Sequence, residues 1–150
     1  MAEIKSGDNS INYNEHKVDE HSKIFTIVIN GIIQRRWMTY NDLLYCEDGP
    51  ADIEYYNNGQ TKREAYCKSK MCPYTYDKNH AAIIEYYENG NKRYEMYNTK
   101  EGNGPHRSDG PAVIYYNEDG SIKDEFFYLH GEVVDDVLTV EILRSCKGEI

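Results

Sequence analysis

Four dipeptides, Asn30-Gly31, Asn58-Gly59, Asn89-Gly90 and Asp119-Gly120, recur 28, 31 and 30 residues apart between strand-like runs. Asn-Gly and Asp-Gly accept the positive φ that both central residues of a type I′ turn require, and that turn's twist matches the strands it joins. The spacing therefore predicts tandem β-hairpins turned at Gly31, Gly59, Gly90 and Gly120. A repeat of this kind constrains shape strongly and chemistry weakly.

β-Branched and aromatic runs flank each turn. The hairpins are Lys23 to Ile29 with Ile32 to Tyr40, Pro50 to Asn57 with Gln60 to Cys67, Ala81 to Glu88 with Asn91 to Asn98, and Pro111 to Glu118 with Ser121 to Leu129. The fold class is mainly β: about four antiparallel hairpins in an extended, single-layer twisted sheet. Residues 1–22 are polar without a sustained period and read as a tail or irregular lead-in. Residues 23–131 form the hairpin-repeat domain and residues 132–150 a capping segment. There Val134, Val137, Leu138 and Ile142 follow helical spacing after Asp135-Asp136, which predicts a C-terminal capping helix. A final strand from Leu138 to Leu143 is the alternative.

Two-residue turns fix the register, because pairs count outward from each turn. Tyr55, Tyr86 and Tyr116 then face Lys62, Arg93 and Lys123, while Ile53, Ile84 and Ile114 face Glu64, Glu95 and Glu125. Ala51, Ala82 and Ala112 face Tyr66, Tyr97 and Phe127, and all nine pairs share one face. Equivalent Glu residues lie two strands apart, about 10 Å, too far to share a metal ion, so the Glu column reads as framework.

Other chemistry finds little support. Cys67, Cys72 and His80, with Cys46 nearby, lack the paired spacing of a zinc site, so no metal and no cofactor is expected. His106, Ser108 and Asp109 are adjacent in sequence, which is not triad geometry, and they read as a loop that holds the next hairpin. No catalytic residues are expected. The net charge of −9 argues against nucleic acid and is compatible with a basic protein partner. Hydrophobic residues make up 39% of the chain and mean hydropathy is −0.81, with no membrane-length apolar run and no secretory leader, which predicts an intracellular protein. The 15 tyrosines, against three Phe and one Trp, favour strands that are apolar along the ring and wet at the hydroxyl.

Asp48-Gly49-Pro50-Ala51, and more fully His106-Arg107-Ser108-Asp109-Gly110-Pro111-Ala112-Val113-Ile114-Tyr115-Tyr116 followed by Gly120 and Glu125-Phe126-Phe127-Tyr128, resemble the tandem repeats of MORN-repeat-variant proteins. Such repeats are plentiful in giant DNA viruses and occur in bacteria. The resemblance runs from Asn30 to Gly131. It departs from common MORN spacing, so the phosphoinositide binding suggested for some MORN proteins does not carry over. It implies a non-enzymatic structural or protein-interaction scaffold, a virion or infected-cell component located in the virion or host cytoplasm, with capsid or other virion proteins as partners. A cytoplasmic bacterial immunity protein or antitoxin that binds a basic toxin is the alternative. Partner contacts are expected at Tyr56, Tyr87, Tyr94 and Tyr115, on the face opposite the repeated pairs, and at His106 and Arg107 in the loop.

Overall fold

The turn signals produce one open antiparallel sheet of sequential hairpins in a computed structural model that describes residues 2–6, 9–67, 80–98 and 104–134. Its strands are β1 (Ala2–Ser6), β2 (Asn9–Lys17), β3 (Ser22–Ile29), β4 (Ile32–Tyr40), β5 (Leu43–Leu44), β6 (Asp52–Tyr55), β7 (Thr61–Ala65), β8 (Ile83–Tyr86), β9 (Lys92–Met96), β10 (Val113–Tyr116), β11 (Ile122–Leu129) and β12 (Glu132–Val134). Eleven follow one another across the sheet in chain order, and β5 pairs with β4 off that path. Among the described residues there is no helix. Val134, the first residue of the expected helical period, ends β12, and the remainder of the helix lies outside the described residues.

Only the first hairpin makes the expected turn. Asn30 and Gly31 have φ of 52° and 79°, and Ile29 pairs with Ile32, as a type I′ turn requires. In the other three only the glycine is left-handed, with φ of 83°, 88° and 86° at Gly59, Gly90 and Gly120. Tyr56 N–H donates to the Gln60 carbonyl and Gly59 N–H to the Tyr56 carbonyl, and both bonds recur around Gly90 and Gly120. These are three-residue loops, a type I turn followed by a glycine bulge.

The cause is an Asx bond. Asn58, Asn89 and Asp119 each accept, on Oδ1, the amide two residues on, at 2.9 Å in every case. The Asn30 side chain instead accepts the amide of Ser10, on the neighbouring strand.

A three-residue loop slips the register by one and would swap the two faces. A bulge in each return strand cancels the slip. Tyr55, Tyr86 and Tyr116 pair with Thr61, Lys92 and Ile122, and beyond the shift Ile53, Ile84 and Ile114 pair with Glu64, Glu95 and Glu125. The isoleucine–glutamate register therefore stands as the sequence predicts, whereas the tyrosine–cation register does not. Lys62, Arg93 and Lys123 are the extra residues of the bulges, with no cross-strand partner of their own.

The stretch read as a tail is also different. Residues 2–6 and 9–17 are strands β1 and β2, which extend the sheet beyond the first turn. Ile11 and Tyr13 alternate onto one face, where the Tyr13 ring lies 5.8 Å from Phe25 and 6.0 Å from Trp37. Two apolar residues are a short signal among polar neighbours, but two aromatic contacts anchor the strand. Asp19 Oδ1 closes its turn by accepting the His21 and Ser22 amides, both at 2.7 Å.

Candidate interaction face

Pairing generates rows that cross the whole sheet. One runs Arg36, Ile53, Glu64, Ile84, Glu95, Ile114, Glu125. On this face Ala81, Ile84, Tyr97 and Ile114 form a core cluster, against which Tyr66, Tyr86 and Tyr116 pack. Two of the three carboxylates, Glu64 and Glu95, are satisfied by phenols from the following hairpin. Tyr86 donates to Glu64 Oε2 at 2.9 Å, and Tyr116 donates to Glu95 Oε2 at 2.5 Å while Lys92 Nζ holds Oε1 at 2.6 Å. Burial, and then the glutamate beside each hydroxyl, push the Tyr86 and Tyr116 phenols well above their ordinary value; burial and Glu64 raise Tyr66 to about 12. Phenols held protonated against carboxylates are donors locked in place. This face is the framework.

The opposite face carries the row Arg35, Glu54, Arg63, Glu85, Tyr94, Tyr115, Asp124. Its first half satisfies itself. Arg35 grips the buried Asp52 carboxylate through two bonds of 2.8 and 2.6 Å and lies 5.1 Å over the Trp37 ring, and Arg63 reaches Glu54 and Asp52 at 3.6 and 3.8 Å. Its second half is aromatic. Tyr94 and Tyr115 lie 5.0 Å apart, Phe126 meets Tyr115 edge-on at 6.1 Å, and Tyr115 and Phe126 stay 41% and 43% exposed. The tyrosines form the floor of a cleft of about 490 Å³ that Tyr87, Arg63, Glu85, Arg93 and Lys123 also line. Among the described residues Arg93 and Lys123 make no ion pair, because the bulges place them where no carboxylate stands opposite.

Three expected contact residues, Tyr87, Tyr94 and Tyr115, therefore come together in this cleft. The Tyr87 hydroxyl is held by the Tyr116 carbonyl at 2.9 Å, leaving its ring as the available surface, and Tyr56 makes the same bond to Tyr86 at 2.7 Å away from the cleft. His106 is buried, and its Nδ1 accepts the His130 amide at 3.0 Å, which places the ring proton on Nε2. Arg107 lies 4.1 Å over the Tyr97 ring and donates to Asp109 at 3.0 Å. A Cβ at Gly110 would meet the Arg107 guanidinium at 3.3 Å, whereas at Gly49, in the other Asp-Gly-Pro motif, it would meet only Cys46 Sγ at 4.0 Å. His106 and Arg107 are placed to hold the loop.

The residues missed from sequence are Arg63, Arg93, Lys123 and Phe126. Arg93 and Lys123 were visible as a repeated column, but only a bulge turns them toward Tyr94 and Tyr115. Among the described residues no group of three His, Cys, Asp or Glu side chains has the geometry to hold a metal. Cys46 is a half-buried free thiol, Cys67 is buried, and Cys72 lies outside the described residues. A second cleft, of about 600 Å³, brings Asp19, Glu47 and Asp48 around Tyr40 and Tyr45. The MORN-variant likeness rests on the repeat residues alone: compared with protein-family models, with curated proteins and with solved structures, the chain gives no match.

Proposed function

We propose that this chain is a non-enzymatic β-repeat platform that binds a protein partner through the cleft of Tyr87, Tyr94, Tyr115, Arg93 and Lys123. The observation that carries the reading is an aromatic pair, half-buried Tyr94 and exposed Tyr115, flanked by two cations without ion pairs among the described residues. Tyr and Arg dominate binding hot spots because they contribute large contact area and strong donors at low conformational cost. The opposite face supports it: phenol–glutamate bonds between hairpins hold the strands rigid and pre-organise the cleft. The setting that the repeat resemblance implies, a virion or infected-cell component of a large DNA virus with capsid or other virion proteins as partners, belongs to this proposal.

A second reading, an immunity protein or antitoxin bound to a basic toxin, is favoured by the acidic cleft of Asp19, Glu47 and Asp48 on a chain of net charge −9. Native complexes purified with the unaltered chain, with Tyr94→Ala/Tyr115→Ala and with Glu47→Lys/Asp48→Lys, then identified by mass spectrometry, separate the two. Loss of the partner with the first pair alone supports the platform. Loss with the second pair alone, and a basic toxin in the unaltered complex, supports the antitoxin.

A further inference from the structure

We infer that the cleft takes an acidic segment in polyproline II conformation, with a carboxylate at every third residue; this deepens the platform reading and rests on it. Arg63, Arg93 and Lys123 line the cleft from β7, β9 and β11, which are alternate strands of one sheet. Alternate strands stand about 9.5 Å apart, so Arg93 and Lys123, which hold equivalent bulge positions, are separated by about that step, and Arg63 follows at the next alternate strand, one residue out of their register. A polyproline II helix has three residues per turn and rises about 3.1 Å per residue, which places every third side chain on one line about 9.3 Å apart. The two periods agree. A β-extended ligand repeats one face about every 6.7 Å and falls out of step after one contact.

The floor fits the same ligand. Tyr94 and Tyr115, 5.0 Å apart, with Phe126 beside them, offer the flat aromatic surface on which proline-rich helices pack. The local charge, three cations against the one carboxylate of Glu85, selects acid over base. Arg93 and Lys123 have no ion pair among the described residues, and Arg63 shares Glu54 and Asp52 at 3.6 and 3.8 Å, so an incoming carboxylate gains partners without displacing one at two of the three positions. Single-stranded nucleic acid also combines anions with flat rings. The net charge of −9 opposes a long polyanion more than a segment with three carboxylates.

The test is fluorescence anisotropy with the full chain and a labelled peptide of three Glu-Pro-Pro triplets. The controls are a Lys-Pro-Pro peptide, a proline-rich peptide with three Glu at every second position, and oligothymidylate. The triplet peptide is expected to bind, at least about tenfold more tightly than the two-residue spacing, with added salt weakening it. Arg93→Ala and Lys123→Ala, both at exposed positions, are each expected to weaken binding about fivefold with an unchanged melting curve. Equal binding of both Glu peptides overturns the polyproline II geometry, and tighter binding of oligothymidylate overturns the peptide. No binding of the triplet peptide, while Tyr94→Ala/Tyr115→Ala still loses its native partner, overturns this inference and leaves the platform reading standing. Retention of that partner overturns both.

Discussion

Glu64, Glu95 and Glu125 occupy one column of the sheet but differ in what the next hairpin supplies. Glu95 is 5% exposed, with the Tyr116 hydroxyl at 2.5 Å and Lys92 at 2.6 Å. In Glu95→Gln one carboxylate oxygen becomes an NH2: turned to Lys92 it sets donor against donor, and turned to Tyr116 it makes the hydroxyl accept and costs its proton this acceptor. A charge-assisted hydrogen bond contributes about 1.5–3 kcal/mol, and Lys92, whose side chain is 48% exposed, regains water when released. The expected loss is about 2 kcal/mol. Glu64 accepts two phenols at 2.9 and 3.2 Å and is less buried, so Glu64→Gln is expected to cost about 1 kcal/mol. Glu125 is exposed and makes no hydrogen bond or ion pair among the described residues, so Glu125→Gln is expected to be neutral. Urea denaturation followed by circular dichroism reads the three midpoints at constant slope. Equal losses at Glu95 and Glu125, or none at Glu95, would refute the claim that Glu64 and Glu95 are held by phenols of the hairpin that follows.

Gly59→Ala and Gly90→Ala test the turns directly. An added Cβ meets nothing within 4 Å at either site, so the expected cost, about 1 kcal/mol each by thermal unfolding, comes from the left-handed backbone alone; no cost would contradict the glycine bulge. Stability should also fall in alkali. Tyr66, raised to about 12, and Tyr86 and Tyr116, raised further, keep protons that unfolded phenols release near pH 10, so their contribution is complete below about pH 10 and is lost as pH rises through the folded values. Denaturation midpoints across that range should decline, and a flat profile would contradict the raised phenols. Arg107→Ala should speed amide exchange around residues 106–111 and leave partner binding intact, since the guanidinium packs on Tyr97 and bonds to Asp109; loss of the partner would return Arg107 to the interaction face.

Much of this architecture was legible in the sequence, because Asn-Gly spacing, strand composition and two-fold alternation are local signals. The turn types were not. Asn30-Gly31 and Asn58-Gly59 are the same dipeptide, yet the Asn30 side chain bonds across the sheet to Ser10 and Asn58 bonds to its own loop. The choice between a two- and a three-residue loop is made by that bond. The isoleucine–glutamate register survived because bulges at Lys62, Arg93 and Lys123 absorb the extra loop residue. For the same reason the cations left the tyrosines they were expected to face. Half of the cleft was therefore visible from sequence as Tyr87, Tyr94 and Tyr115, and its charged half was hidden in a bulge. His106 and Arg107 lie in the connecting loop, as expected, with His106 buried and Arg107 stacked on Tyr97. Strands β1 and β2 were missed because Ile4, Ile11 and Tyr13 are few apolar positions among polar neighbours.

The central claim is a division of labour between two faces: phenol–glutamate bonds hold the fold on one, and the aromatic–cation cleft meets the partner on the other. The most direct measurement takes stability and affinity for the purified native partner together on two matched double variants, Glu64→Gln/Tyr86→Phe and Arg93→Ala/Tyr115→Ala. The account predicts that the first loses stability and, at a temperature where it remains folded, keeps affinity, while the second loses affinity and keeps stability. The reverse pattern, or loss of affinity only in the first, would contradict it.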